Sequence, residues 1–372
     1  MKNIAIELLN LSNYRNYSSL KVSFSRGFNI ITGLNGAGKT SILDAIYYLS
    51  NGKSYFTHLD KFIYKTGTDF FMVEGEFNDE NRPIHNRISS AVKSKKSIVL
   101  DDKKLTSRVD LMGVVPAAIV APKDIRILVD SSVERRRVTD RTISHSDKIY
   151  LQNLVKYNKA LKQRNAYLKE INKKGLSDST YLDSLDQQMI GPADYIHEAR
   201  ASYVDTIAPL LSSYYKELSG NSETVSLQYQ SQLTTQSLAE LFKERLRRDI
   251  ATVKTSAGIH RDDLELFIEG QPLKKYASQG QLKSAVIALK LAQASWLKEV
   301  TGINPILLLD DIFDKLDSER VKNFMKVISQ VPQAQILITD TDKQRIITCL
   351  NELDLTYNSL HIEDGKLIDG IT

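Results

Sequence analysis

The chain has 372 residues, 42% of them hydrophobic and 26% charged, a balance that supports a buried core and a prior of two to three domains. No run approaches the roughly 18 apolar residues that span a bilayer, and Glu7 places an acid too early for a secretory signal, so a membrane role is not expected. Cys349 is the sole cysteine, which excludes an intrachain disulfide and a cysteine-built zinc site and suits the reducing cytoplasm, while a formal charge of +5 is too mild to identify an anionic partner.

In chain order, short β-like runs come first: Ile4 to Leu9, Leu20 to Phe24, Phe28 to Thr32, Phe70 to Phe77, Asn86 to Ser90 and Ser97 to Leu100. One helix, Lys39 to Leu49, interrupts them directly after a glycine-rich loop. From about residue 131 the pattern turns helical. Tyr150, Leu154, Tyr157, Leu161 and Leu168 share one face of an amphipathic helix. A second helical stretch carries Ile196, Tyr203, Ile207 and Leu211, with interruptions expected near Gly191-Pro192 and at Pro209, and a third runs from Leu238 to Ile250. Strands return at Leu264 to Glu269, Ile306 to Asp310, Gln335 to Thr339 and Ser359 to Ile362, with a strong helix at Gly280 to Glu299. The expected organisation is an α/β domain made of residues 1–130 and 251–372, with a helical block of residues 131–250 inserted between its halves.

Gly33-Leu34-Asn35-Gly36-Ala37-Gly38-Lys39-Thr40, followed by Ser41, matches a phosphate-binding loop, and it lies between a strand and a helix as such a loop requires. Glycines let the backbone bend around phosphates, successive N–H groups and the helix N-terminus bind anionic oxygens, Lys39 reaches the β and γ phosphates, and Thr40 ligates magnesium. Ile306-Leu307-Leu308-Leu309 is short and apolar enough for a buried parallel strand, and it ends on Asp310 and Asp311, where α/β sheets bind ligands. Asp310 is assigned to Mg2+ and Asp311 to the attacking water, although an acidic helix cap would leave the same trace. Together these elements predict ATP binding and hydrolysis.

Ala277-Ser278-Gln279-Gly280-Gln281 opens the long helix and by itself reads as an N-cap. Its position upstream of Asp310 resembles the signature peptide of ABC-superfamily ATPases, which implies that Ser278, Gln279, Gly280 and Gln281 close over a nucleotide held by a second subunit. Asn13-Tyr14-Arg15-Asn16-Tyr17, the phosphate loop, Ala121-Pro122-Lys123-Asp124, Glu134-Arg135-Arg136-Arg137, Gly258-Ile259-His260-Arg261-Asp262-Asp263-Leu264, the Ser278 segment and the Asp310 strand occur in the order found in the RecF family. The chain resembles that family over nearly its whole length. The resemblance implies an ABC-type ATPase head of mixed and parallel sheet with helices, an inserted helical second lobe and no long coiled coil. It also implies an ATP-dependent homodimer on gapped or duplex DNA, slow hydrolysis that releases it, and cooperation with RecR and RecO in loading recombinase at single-strand gaps.

The same resemblance gives Arg15 as a phosphate contact, with a plain exposed arginine equally open, and Asp314 to Asp317 as a loop crossing the dimer seam. No glutamine suited to sensing magnesium stands near Ala121 to Asp124, and Thr339-Asp340 occupies the place where transporters carry a histidine. DNA-contact candidates are Lys93, Lys95, Lys96, Lys103 and Lys104, Arg135 to Arg137, and Arg245, Arg247 and Arg248; each cluster also reads as a solvated face. His260 and Arg261 read either as part of a buried ion-pair network or as seam residues. A transporter's nucleotide-binding subunit is the alternative, opposed by the long separation of Lys39 from Ser278. An SMC-like tether is the other, opposed by the missing heptad arms and hook.

Overall fold

The computed structural model describes residues 2–57, 59–79, 82–92, 94–175, 179–221, 223–313, 318–331 and 334–369. It divides into two compact units: Met1–Ile125 with Ser213–Thr224 and Ser278–Thr372, and Arg126–Ser212 with Val225–Ala277. The second division thus falls after Ala277 rather than at residue 250. The strand Val225–Gln230 pairs antiparallel with Asp263–Ile268, and that pairing draws the chain beyond residue 250 into the second unit.

Two six-stranded sheets build the first unit. In one, Phe28–Thr32 lies at the centre between Ile336–Asp340 and Tyr357–Glu363, both parallel to it, and the parallel series continues through Ile306–Asp310 to Ala117–Val120. An antiparallel strand, Lys366–Asp369, closes the far edge. Phe28–Thr32, Ile306–Asp310 and Ile336–Asp340 are buried at every position, as expected for parallel strands covered on both faces. The other sheet is an antiparallel meander whose longer strands, Ala5–Tyr14, Tyr17–Ser23, Phe70–Asn78 and Pro83–Ala91, alternate buried with exposed positions.

The helix Lys39–Asn51 touches both sheets, Phe70–Asn78 and Pro83–Ala91 on one side and Ala117–Val120 and Ile306–Asp310 on the other. That explains why it is apolar nearly all round, with Ile42, Leu43, Ala45, Ile46, Tyr48 and Leu49 fully buried. The helix that follows the phosphate loop is therefore anchored in the core between the two sheets.

The second unit holds the helices Ser132–Ser146, Lys148–Lys174 and Leu238–Thr252, most of Thr180–Leu218 and a three-stranded antiparallel sheet. Thr180–Leu218 runs through 39 residues with Pro192 and Pro209 inside it, so the interruptions expected there do not occur. Proline removes one helical hydrogen bond and crowds the preceding turn. Here Met189, Ala193, Ile196, Ile207 and Leu211 are fully buried on either side of the prolines, and their packing outweighs the local cost. Buried charge organises the rest: Arg164 pairs with Asp186 and Asp249, and Arg200 with Asp140 and Asp262. His260 is half-buried beside this network, its Nδ1 2.7 Å from the Tyr157 hydroxyl and its Nε2 2.9 Å from the Thr255 carbonyl, while Arg261 is exposed and donates to that same carbonyl at 2.6 Å; the ion pairs next to them belong to Asp262 and Asp263.

Candidate functional site

The Gly33–Lys39 turn is built by backbone geometry that side chains would obstruct. Gly33 and Gly38 have φ of 148° and 118°. A Cβ at Gly33 would stand 2.1 Å from the Ile362 carbonyl oxygen, and one at Gly38 would stand 2.5 Å from both the Asn16 amide and the Tyr17 hydroxyl. Glycine is required at both positions by close approach as well as by φ. Lys39 is buried, and its ammonium donates to the Gly33 carbonyl at 2.7 Å and the Leu34 carbonyl at 2.9 Å. Burial lowers its pKa, and the carboxylates of Asp311, Asp310 and Asp340 act in the opposite direction.

Asp310 ends its strand buried against the start of the phosphate-loop helix. Its Oδ1 accepts from the Thr40 hydroxyl at 2.8 Å and from the Thr339 hydroxyl at 2.9 Å. Burial raises its pKa, with those two hydroxyls working against the rise. Asp311 follows in the left-handed region at φ 47°, a conformation that costs a non-glycine residue free energy, and its N–H donates to the Thr339 hydroxyl at 3.0 Å. Loop, helix start and strand ends enclose a cleft of about 330 Å³ lined by Arg15, Asn35, Gly36, Gly38, Lys39, Thr40, Ser41, Asp310 and Asp311, together with Asn16 and Thr339. The lining thus combines the Lys39 ammonium and loop backbone with the oxygen donors Thr40, Asp310 and Asp311, which is the chemistry a magnesium polyphosphate requires. Of these groups the Asp310 carboxylate and the Thr40 hydroxyl would hold a magnesium ion, whose remaining positions water and phosphate oxygens would fill.

Asn16 and Thr339 were not anticipated. Asn16 donates to the Ala37 carbonyl at 3.2 Å, bracing the loop, and its signal in the sequence is membership of the Asn13 to Tyr17 motif. Thr339 was noted only as the replacement of a histidine. It forms the link that holds Asp310 and Asp311 in register.

Arg15 borders the cleft, but its guanidinium is tied to the fully buried Asp44 at 2.6 Å and to Ser54 at 3.1 Å, so it is not a plain exposed arginine. Ser278, Gln279, Gly280 and Gln281 do not line this cleft. Ser278 caps the helix Gln279–Thr301: its hydroxyl accepts from the Gln281 N–H, and the Gln281 side chain accepts from the Ser278 N–H at 2.7 Å and donates to Glu223 at 2.8 Å. The segment Asp314 to Asp317 lies outside the described residues.

Several basic candidates change meaning. Arg135 is buried and paired with Asp263 at 2.7 Å and Arg136 donates to the Asp262 carbonyl, so these two tie their helix to the Asp262–Asp263 segment, while Arg137 is exposed and pairs with Glu134 on the same helix. Lys96 pairs with Asp60 at 2.6 Å, while Lys95, Lys103 and Lys104 are exposed and Lys93 lies outside the described residues. Arg247 and Arg248 are exposed, and Arg245 donates to the Ser256 carbonyl. Near Ala121, Asp124 accepts from the Tyr55 hydroxyl and lies 3.8 Å from the buried Lys290 ammonium, a polar contact where no sensing glutamine had been found. Among the described residues no helix is long and apolar enough to cross a membrane.

The family model for the RecF/RecN/SMC N terminal domain matches residues 5–359. The DNA replication and repair protein RecF of Cytophaga hutchinsonii is 35% identical over 362 residues, covering 97% of this chain and 96% of that protein. Its counterpart in Flavobacterium johnsoniae is 36% identical, covering 95% and 99%. A solved structure of the recombination mediator protein RecF-ATPrS in the RecFOR pathway superposes with a TM-score of 0.88 at 28% identity, covering 100% of this chain and 99% of that one. The Smc head domain of Pyrococcus furiosus shares the fold at a TM-score of 0.60 and 18% identity. Full-length identity to the curated relatives, joined to a head with a phosphate loop facing an acidic strand end, means that the chain belongs to the RecF family of DNA replication and repair proteins, built on an ABC-type ATPase fold.

Proposed function

We propose that the protein binds ATP with Mg2+ in this cleft, dimerises head to tail when it does so, holds gapped or duplex DNA without reading its sequence, and lets go on hydrolysis. The observation that carries the reading is the junction of Thr40, Asp310 and Thr339, which sets the phosphate-loop helix against an acidic strand end with Asp311 beside it. On nucleotide binding Lys39 exchanges its two carbonyl partners for phosphate oxygens. Thr40 and Asp310 hold the magnesium ion, which neutralises phosphate charge, and Asp311 orients the attacking water. Arg15 and Ser41 complete the phosphate side. The Ser278 helix end is not part of the cleft lining of its own chain, and the resemblance to ABC-superfamily ATPases supports a place for it in the cleft of a second copy, where hydroxyl and helix dipole would meet the γ-phosphate.

The first unit then serves as the ATPase lobe and the second as the helical lobe. The RecFOR setting of the solved relatives supports partnership with RecR and RecO in loading recombinase at gaps. A cytoplasmic protein fits these roles. Neither the transporter reading nor the tethering reading is favoured by the relatives. Sedimentation with ATP, with and without gapped duplex, tests the clamp: the wild type should form a DNA-holding dimer that Lys39→Ala and Ser278→Arg cannot form. ATP binding without a dimer or a DNA complex would overturn it.

A further inference from the structure

The helix Lys148–Lys174 carries all its lysines on one side. Lys148, Lys156, Lys159, Lys162, Lys169, Lys173 and Lys174 are all exposed, and at 100° per residue they fall within an arc of about 140°. The opposite side buries Tyr157, Ala160, Leu168 and Ile171 together with Arg164, which is already committed to Asp186 and Asp249. Among the described residues none of the seven lysines makes an ion pair with an acid. Glu170 is the helix's sole carboxylate, and Gln152 and Gln163 add exposed amide donors within the same arc. Seven lysines on one helix, in a chain of formal net charge +5, mean that the positive charge of this protein is concentrated rather than spread. Glu170, exposed within the same arc, is the one acid on the helix beside the seven lysines.

We infer that this lysine stripe is a docking surface for the phosphate backbone of duplex DNA. The inference rests on the DNA-binding reading above and assigns that binding a place. Three physical points favour duplex over other anions. The helix is about 40 Å long at 1.5 Å per residue, more than one turn of B-DNA, and the duplex offers one charge per roughly 1.7 Å, so unevenly spaced lysines always find phosphates. Lysines are hydrated point charges on flexible stems, suited to backbone contact and not to bidentate base readout. An amphipathic membrane helix needs an apolar face turned outward, and here the continuous apolar face is turned inward and buried.

The test uses the full-length protein with ATP and a labelled duplex of arbitrary sequence, titrated across a salt series. The variant carries Lys156→Glu, Lys159→Glu, Lys162→Glu and Lys169→Glu, and a second carries Gln at the same positions in case the glutamates disturb folding. The exposed hairpin lysines, changed as Lys95→Glu, Lys103→Glu and Lys104→Glu, serve as comparison. Duplex affinity of the stripe variants should fall by about tenfold or more at 0.1 M salt, and the slope of log affinity against log salt should become shallower by up to roughly 0.9 per lysine removed. ATP-driven dimerisation should be unchanged. If the stripe variants bind duplex with wild-type affinity and slope, the inference is overturned while DNA binding stands. If the wild type itself binds no DNA in any nucleotide state, the proposed function falls first. Binding to phosphatidylserine vesicles through these lysines, with no DNA binding, would overturn both in favour of a membrane partner.

Discussion

Replacing Asp44 with asparagine tests how the core is coupled to the cleft. Asp44 is fully buried on the phosphate-loop helix, and every group around it is a donor: the Tyr14 hydroxyl at 3.0 Å, the Arg15 guanidinium at 2.6 and 3.1 Å, the Ser54 hydroxyl at 2.8 Å and the Tyr55 N–H at 2.8 Å. An asparagine keeps the shape but turns one oxygen into a donor among donors and strips Arg15 of its counter-charge. Removing one member of a buried ion pair typically costs about 3–5 kcal/mol. The Arg15 side chain retains 23% exposure and can regain water, so the lower end, about 3 kcal/mol, is expected. At roughly 2–4 °C per kcal/mol for a unit of this size, the nucleotide-free melting temperature should drop by about 6–12 °C. Arg15→Met should cost a similar amount, because it leaves the carboxylate unpaired. The double variant should be at least ~1 kcal/mol better than the sum of the two losses, since the partners are in contact. Urea unfolding and thermal melts read all three variants. A loss below about 1 kcal/mol for Asp44→Asn, or strict additivity, would refute the argument that this pair is a closed buried unit.

Gly38→Ala should weaken ATP binding at least about tenfold and cost roughly 1–3 kcal/mol, because the methyl group meets Asn16 and Tyr17 at 2.5 Å on a left-handed backbone; isothermal titration and melting check both. Asp311→Asn should retain ATP-dependent dimerisation while lowering single-turnover hydrolysis at least about a hundredfold, and unchanged hydrolysis would remove Asp311 from the water-orienting role. Thr339→Val should perturb hydrolysis as well, by releasing the hydroxyl that links Asp310 to the Asp311 N–H. Burial pushes the His260 pKa from 6.5 down to about 4, so between those values the unfolded chain binds the proton that the folded one refuses. Stability should therefore fall as pH drops from 6.5 towards 4, by up to about 3 kcal/mol from this residue. His260→Asn should flatten the urea midpoint across that interval relative to wild type, and identical pH profiles would show that the fold does not hold His260 neutral.

The elements that were legible in advance are those whose cause is local. Strand, glycine loop and helix at residues 28 to 51 are dictated by contiguous residue types, and Ile306 to Leu309 runs as an unbroken apolar string because both faces of that strand are covered. The ordered series of motifs was sufficient to identify the family. Other features depended on which residues meet across long stretches of chain, and no local pattern carries that information. The meeting of Thr40 and Thr339 at Asp310, the capture of Arg15 by Asp44, and the burial of Arg135 against Asp263 all join distant positions. A run of arginines looks the same in sequence whether it faces water or a carboxylate in the core, so the basic clusters could be counted but not sorted. The lysines of Lys148–Lys174 show the converse: their spacing was present in the sequence, but burial of the opposite face was needed to show that they share one exposed side. Likewise, Pro192 and Pro209 signal a break by their own chemistry, and only the packing of Met189, Ala193, Ile196 and Ile207 overrules it. Local propensity is worth a few kcal/mol at most and tertiary burial sums to far more, so sequence fixes what each segment prefers while the fold decides which preferences survive.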